Sequence, residues 1–274
     1  MSVTITAADI NKLRQTTGAG MMDCRKALTE SNGDFEAAID WLRKQGQKVA
    51  AKRSDREAKE GVVIAQTTAD HNSGIVLCIS CETDFVSKNA EFVAFAQSIA
   101  DAAIANNVKT AEELNAVSIN GSAVAELIND KLAAIGEKIA LTKFERIDAP
   151  YVASYIHGAN RMGVLVAMTK EAAEAGKDVA MQIAAMNPLA VDETSIAPET
   201  IAREKEIAIE QIKAEGKPAE MAEKIAMGKV NKFFKENTLL AQAFVKDNSK
   251  SVADYLKSVD ADLKVTDFKR VALG

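Results

Sequence analysis

The sequence predicts an α+β protein: a three-helix N-terminal module, a core of two related α+β subdomains built on small antiparallel sheets, and a projecting antiparallel helical hairpin. Three observations predict it. Of 274 residues, 47% are hydrophobic but only 5% aromatic, with abundant alanine, as expected for helices packed through small and aliphatic side chains. The apolar period switches from helical to alternating near residue 61 and back to helical after Pro198. A strand, polar turn, strand and helix occur twice, with MGVLVAM from Met162 answering SGIVLCI from Ser73.

Residues 1–45 read as three short helices. Ile10 and Leu13 keep helical spacing up to the Gly18 and Gly20 stop; Met21, Cys24 and Leu28 share a face up to Gly33. Asp34 then caps a third helix carrying Phe35, Ile39 and Leu42. Such a short unit usually serves as a recognition module on something larger. Residues 46–60 form a charged linker: from Arg43 the chain mixes both signs of charge and reads as a solvated connection or helix, and its lack of aromatics argues against an RNA contact.

Subdomain N, residues 61–145, opens with the hairpin GVVIAQTT and GIVLCISC and continues into a helix with Phe92, Phe95, Ala96, Ile99 and Ala103 on one face. Subdomain C, residues 146–197, repeats the plan and ends its helix at Asn187-Pro188. In the hairpin, 198–236, Gly216 suits a helix end and Pro218 the first turn of the next helix; the thin stripe of Ile201, Ala208 and Ile212 suits association. Residues 237–274 give one more helix and a last strand that returns to the core.

Charge and cysteine usage exclude several classes. A net charge of -5 argues against a direct nucleic-acid grip, which needs a basic face, and favours a protein partner or a small ligand. MSVTITAADINKLR lacks the core of a signal peptide, and no apolar run approaches the ~20 residues that span a membrane, so a cytoplasmic protein without a membrane partner is expected. Three cysteines fit a reducing compartment. The two histidines stand beside no plausible Ser or Cys nucleophile, so no catalytic residue, cofactor or metal is expected.

The stretch CISCETDFVSK holds two competing motifs. Strand alternation sends Ile75, Leu77, Ile79 and Cys81 to one face and Val76, Cys78, Ser80 and Glu82 to the other. Cys78 and Cys81 therefore face opposite sides, and this Cys-x-x-Cys reads as packing rather than as metal or redox chemistry. Thr83, Asp84, Phe85 and Val86 instead lie between the strand and the helix that begins near Asn89. Phe85 is either an exposed contact or a core residue folded beneath that helix, and spacing leaves both open. The tripeptide alone means little, since Thr266-Asp267-Phe268 repeats it inside the last strand. Met22 stands about 100° from the Met21 face, either as a soft solvent-side contact or as a cap over a neighbouring helix.

With these residues in view, LRQTTGAGMMDCRKALTESNGD and CETDFVSKNAEF closely resemble the two signatures of the bacterial elongation factor Ts family, in order and spacing. The likeness continues through YIHGANRMGVLV and the GKP-centred hairpin. It implies a ubiquitin-associated-like N-terminal domain, a two-subdomain core and a coiled-coil hairpin that makes a homodimer. It further implies guanine-nucleotide exchange on elongation factor Tu during translation. By the same likeness, Thr83 to Val86 disturb the partner's magnesium site, Phe85 inserting into its nucleotide domain. Arg14, Met21 and Met22 touch that domain, and His157 touches another. The runner-up is a ubiquitin-associated-like peptide-binding module acting through residues 1–45 alone. Departures are Thr16, where an Arg is usual, Ala243 in place of a Pro in Gln242-Ala243-Phe244, and a chain that stops after the final strand.

Overall fold

The computed structural model describes residues 4–53, 55–214 and 219–274. Helix α1 (Ala7–Thr17) starts at a capping box in which Thr6 and Asp9 satisfy each other's backbone N–H, and Gly18 ends it in the left-handed conformation at φ 69. Helix α2 (Met21–Glu30) buries Cys24, Ala27 and Leu28. The Asp34 carboxylate accepts from the N–H of Ala37 at the start of α3 (Phe35–Arg53), so the charged segment after residue 45 is helical through Arg53. Leu13, Cys24, Leu28 and Ala38 form the centre of this three-helix unit. Met21, expected on that buried face, is instead 54% exposed. It occupies the first helical position after Gly20, and the buried residues of α2 begin one turn later at Cys24.

Strands β1 (Glu60–Thr67) and β2 (Ser73–Cys81) pair antiparallel. After β2 come the single turn α4 (Asp84–Ser87), α5 (Ala90–Ala105) and α6 (Ala111–Ala116). The short ladder of β3 (Ser118–Ile119) with β4 (Ser122–Ala123) leads into α7 (Val124–Ile135), and β5 (Ala140–Asp148) completes a sheet of order β1-β2-β5. The plan then repeats. Strands β6 (Tyr151–His157) and β7 (Met162–Met168) pair, and α8 (Ala173–Met186) follows them. Then come α9 (Pro198–Ala214), α10 (Ala219–Asn237), β8 (Ala243–Phe244), β9 (Asp247–Ser251) and α11 (Val252–Val259). Strand β10 (Val265–Ala272) closes the second sheet in the order β10-β7-β6. In both halves the third strand returns beside the second strand of the hairpin, so the short likeness of MGVLVAM to SGIVLCI reflects one topology used twice.

The two sheets stack face to face. One layer of side chains, including Val63, Val76, Cys78, Val152, Leu165 and Val271, lies between them. On the outer face of the first sheet, Ile75, Leu77, Ile79 and Cys81 pack with Phe92, Ile99 and Leu132 of the helices; on that of the second, Val164, Val166 and Met168 pack with Val179 and Ile183. Strand β2 is thus buried along its whole length, which explains its nearly unbroken apolar run. The sheets approach closely at Gly163, where a Cβ would stand 2.9 Å from Val76 and 3.0 Å from Ala65 and Val63. Each hairpin turn also clasps the opposite sheet: the Val63 N–H donates to the Asn160 carbonyl (2.7 Å), and the Val152 N–H donates to that of His71 (2.7 Å).

The N-terminal helices are fastened to this body through α7. Helix α3 crosses α7 so tightly at Gly46 that a Cβ there would lie 2.9 Å from the Cβ of Ala133. Arg43 adds a hydrogen bond to the Ser122 hydroxyl (3.1 Å) and an ion pair with Asp130 (4.0 Å). Helices α9 and α10 pack together through Ala208, Ile212 and Ala226, and the Lys229 ammonium donates to Gln211 (2.9 Å). The expected Gly216 and Pro218 signals lie outside the described residues.

Candidate partner-binding site

Beyond Cys81 the strand ends, and Thr83, in extended conformation, begins the one-turn helix α4. The turn closes through the N–H groups of Ser87, Lys88 and Asn89 on the carbonyls of Thr83 (3.3 Å), Asp84 (3.0 Å) and Val86 (3.1 Å). Asn89 then caps α5 by accepting from the Glu91 N–H (2.8 Å). On a turn this short, adjacent side chains point in different directions. Val86 goes inward and packs, half-buried, against the helix-covered core. Phe85 goes outward and is 86% exposed. Of the two placements left open by spacing, it takes the exposed one. The same tripeptide in β10 leaves Phe268 half-buried against the second core.

Two carboxylates hold the base of this turn. Glu137, just after the Gly136 stop of α7, accepts from both the Thr83 N–H (3.0 Å) and the Thr83 hydroxyl (2.7 Å). Glu82 accepts from the Lys138 N–H (2.6 Å) and from the guanidinium groups of Arg53 (3.2 Å) and Arg56 (3.1 Å). Those bonds, the Lys138 N–H foremost, hold the Glu82 carboxyl below its ordinary pKa. Residues 82–83 and 137–138 thus each give a carboxylate to the other's backbone. Spacing did not single out Glu137, because its partner is 54 residues away in the chain. Beneath the turn, the Cys81 thiol donates to the Thr83 carbonyl (3.2 Å), and burial, followed by the charges of Glu137 and Glu60, pushes its pKa up to about 12. Cys78 lies on the other side of β2, in the layer between the sheets.

The remaining site residues expected from sequence are all exposed: Arg14, Met21, His157 and, at 72%, Met22. Met22 therefore does not cap a neighbouring helix. Phe85 and residues Gly18 and Ala19, just ahead of the methionines, line one cleft of about 890 Å³ between the N-terminal helices and the core, with Trp41, Phe95 and Ile135. His157 ends β6, its Nδ1 3.0 Å from the Tyr155 hydroxyl. The turn after it leads to Arg161, which pairs with Glu60 (2.7 Å). Glu60 stands opposite Cys81 at the end of β2, so its bond to Arg161 puts the His157 turn and the Phe85 turn at one edge of the stacked sheets. Asp84 is held below the usual carboxylate range by Lys88 (2.7 Å).

Among the described residues no cluster of three His, Cys, Asp or Glu side chains can hold a metal ion, and no helix is long and apolar enough to cross a membrane. What the site offers is a raised, clamped aromatic tip with flanking apolar and polar contacts.

Comparison with known proteins gives a consistent picture. The family model described as Elongation factor TS matches residues 82–274. The Elongation factor Ts of Flavobacterium psychrophilum is 52% identical over 274 residues, covering 99% of this chain and 99% of its own length. That of Christiangramia forsetii is 50% identical, covering 98% and 99%, and that of Clostridium perfringens is 44% identical, covering 98% and 93%. These relatives therefore extend over the N-terminal helices, which lie ahead of the family model's match.

Proposed function

Because the chain belongs to the elongation factor Ts family, whose members are elongation factors of protein biosynthesis, we propose that it is the guanine-nucleotide exchange factor for elongation factor Tu. The observation that carries this reading is Phe85, 86% exposed at the tip of a turn tied down on both flanks. In the complex, Phe85 enters the nucleotide domain of the partner with Thr83, Asp84 and Val86 around it, and disturbs the magnesium site there. Arg14, Met21 and Met22 bind the same domain, and His157 binds another.

Magnitudes show why one residue is not enough. A nucleotide held at nanomolar affinity lies in a well of about 12 kcal/mol, and accelerating its release about ten-thousandfold takes roughly 5.5 kcal/mol. Burying one Phe yields only about 1.5–3 kcal/mol. Displacing the partner's magnesium, whose charge holds the phosphates, and a broad interface through the N-terminal helices and both sheets supply the rest. By linkage, a factor that weakens nucleotide binding is itself displaced by nucleotide, which lets it act repeatedly. No bond is made or broken, so the protein is an exchange factor rather than an enzyme, with no cofactor of its own.

In this reading the three N-terminal helices form a ubiquitin-associated-like module and α9–α10 a projecting coiled-coil hairpin that pairs with a second copy. The tight crossing of α3 on α7 supports a module that works with the core over one that binds peptides alone. The test is release of a fluorescent GDP from purified elongation factor Tu by a tenth of an equivalent of this protein. With excess unlabelled GDP present to prevent rebinding, complete release at a rate proportional to added protein is expected, and release at the spontaneous rate overturns the reading.

A further inference from the structure

We propose that Glu137 is a positioning residue for Phe85: its carboxylate, holding Thr83 at both the N–H and the hydroxyl, sets the direction in which the one-turn helix α4 presents the aromatic ring. The inference rests on the exchange reading above and adds a residue from a different part of the chain.

Three features carry it. First, α4 is a single turn with no side-chain cap of its own at Thr83, so its orientation is set by what holds its first residue. Glu137 is that group, at 3.0 Å and 2.7 Å, and it gives both Thr83 donors to one carboxylate, the stronger kind of hydrogen bond. Second, Glu137 is itself placed by a rigid element. It follows Gly136, which ends α7 in the left-handed conformation at φ 80 with its N–H on the Leu132 carbonyl. Third, the same helix carries Ala133, against which Gly46 of α3 is packed, so α7 holds the Phe85 turn and the N-terminal helices in one fixed relation. The neighbouring Glu82–Lys138 bond closes the clasp from the other strand. Phe85 and the Met21–Met22 contact are therefore set at a constant spacing by α7.

Loosening the clasp leaves the contact surface intact but lowers the fraction of molecules with the ring correctly aimed, so the maximal rate falls by that fraction. The test is stopped-flow release of fluorescent GDP from elongation factor Tu at saturating factor, with amide hydrogen exchange on the free protein. For Glu137→Ala, the maximal stimulated rate should fall roughly tenfold while the half-saturating concentration changes less than about twofold. Thr83→Val, which keeps the N–H bond, should lose less, and Glu137→Gln should fall between. Amides of Ser87, Lys88 and Asn89 should exchange faster in Glu137→Ala while those of β2 do not change. A general loss of structure would instead expose β2 and be compensated by adding more factor. An unchanged maximal rate, or unchanged exchange at those three amides, overturns the proposal. If the wild-type protein fails to stimulate release, the exchange reading falls, and the amide measurement still decides whether Glu137 holds the turn.

Discussion

Replacing Phe85 with alanine separates folding from function at one position, and replacing its neighbour Val86 provides the opposite control. In the free protein the Phe85 ring is 86% exposed, so its removal forfeits almost no burial and should leave stability within about 0.5 kcal/mol of wild type. In the proposed complex its burial contributes about 1.5–3 kcal/mol, so Phe85→Ala should slow stimulated GDP release by roughly 10- to 150-fold. Val86 is half-buried against the core, and Val86→Ala should lose about 1 kcal/mol of stability, a shift of roughly 2–4 °C in Tm. Thermal melting and stopped-flow release with fluorescent GDP, run on both variants, give four outcomes from two residues. A Phe85→Ala protein that releases GDP at the wild-type rate refutes the role of the ring. One whose melting temperature falls like that of Val86→Ala refutes the exposed placement.

Other consequences follow from the same geometry. Met22, 72% exposed on α2, should tolerate Asp without unfolding, while Met22→Asp weakens affinity for elongation factor Tu at least tenfold in a titration; wild-type affinity would remove it from the interface. At Gly163, where a Cβ already stands 2.9 Å from Val76, Gly163→Val should push the stacked sheets apart and lower stability by about 1–3 kcal/mol or more, read from the urea midpoint. Because the Glu82 carboxyl is held below its ordinary 4.5, its contribution is complete above about pH 4.5 and lost as pH falls through the lower native value. Glu82→Gln should therefore be less stable than wild type at pH 7, and the gap should narrow between pH 5 and pH 3; a constant gap would show that the charge is not the cause.

Much of the fold is legible because local signals and tertiary packing agree. Strand parity sorted Cys78 and Cys81 onto opposite faces, and the two clusters they join lie on either side of β2. Gly18 and Asn187 ended helices at left-handed positions where the chain had to stop. Helix α7 goes unassigned from sequence although Val124, Ile128 and Leu132 repeat at helical spacing before Gly136, a signal present but unused. The stacking of the sheets was written only in the unbroken apolar run of β2, which periodicity cannot distinguish from other buried segments. Met21 misled because helical phase gives a direction and not a depth: it lies on the side of Cys24 but at the first position of α2, and is exposed where Cys24 is buried. Glu137 was out of reach of any local rule, since its partnership with Thr83 spans 54 residues.

The clamp at Thr83 also answers a question of magnitude that an exposed aromatic raises. If the four residues of α4 were unstructured in the free protein, ordering their backbone on binding would cost about 4–8 kcal/mol, at 1–2 kcal/mol for each. That exceeds the roughly 1.5–3 kcal/mol that burying one Phe returns, so a floppy tip would stay uninserted in most complexes formed by the rest of the interface. A turn already closed by its own backbone bonds and held by Glu137 has lost that entropy on folding, and only the rotamers of one ring are left to fix. Insertion is then favourable on its own account. In the proposed complex, the contacts of the N-terminal helices and of His157 then hold Phe85 at the magnesium site rather than offset the ordering of the tip.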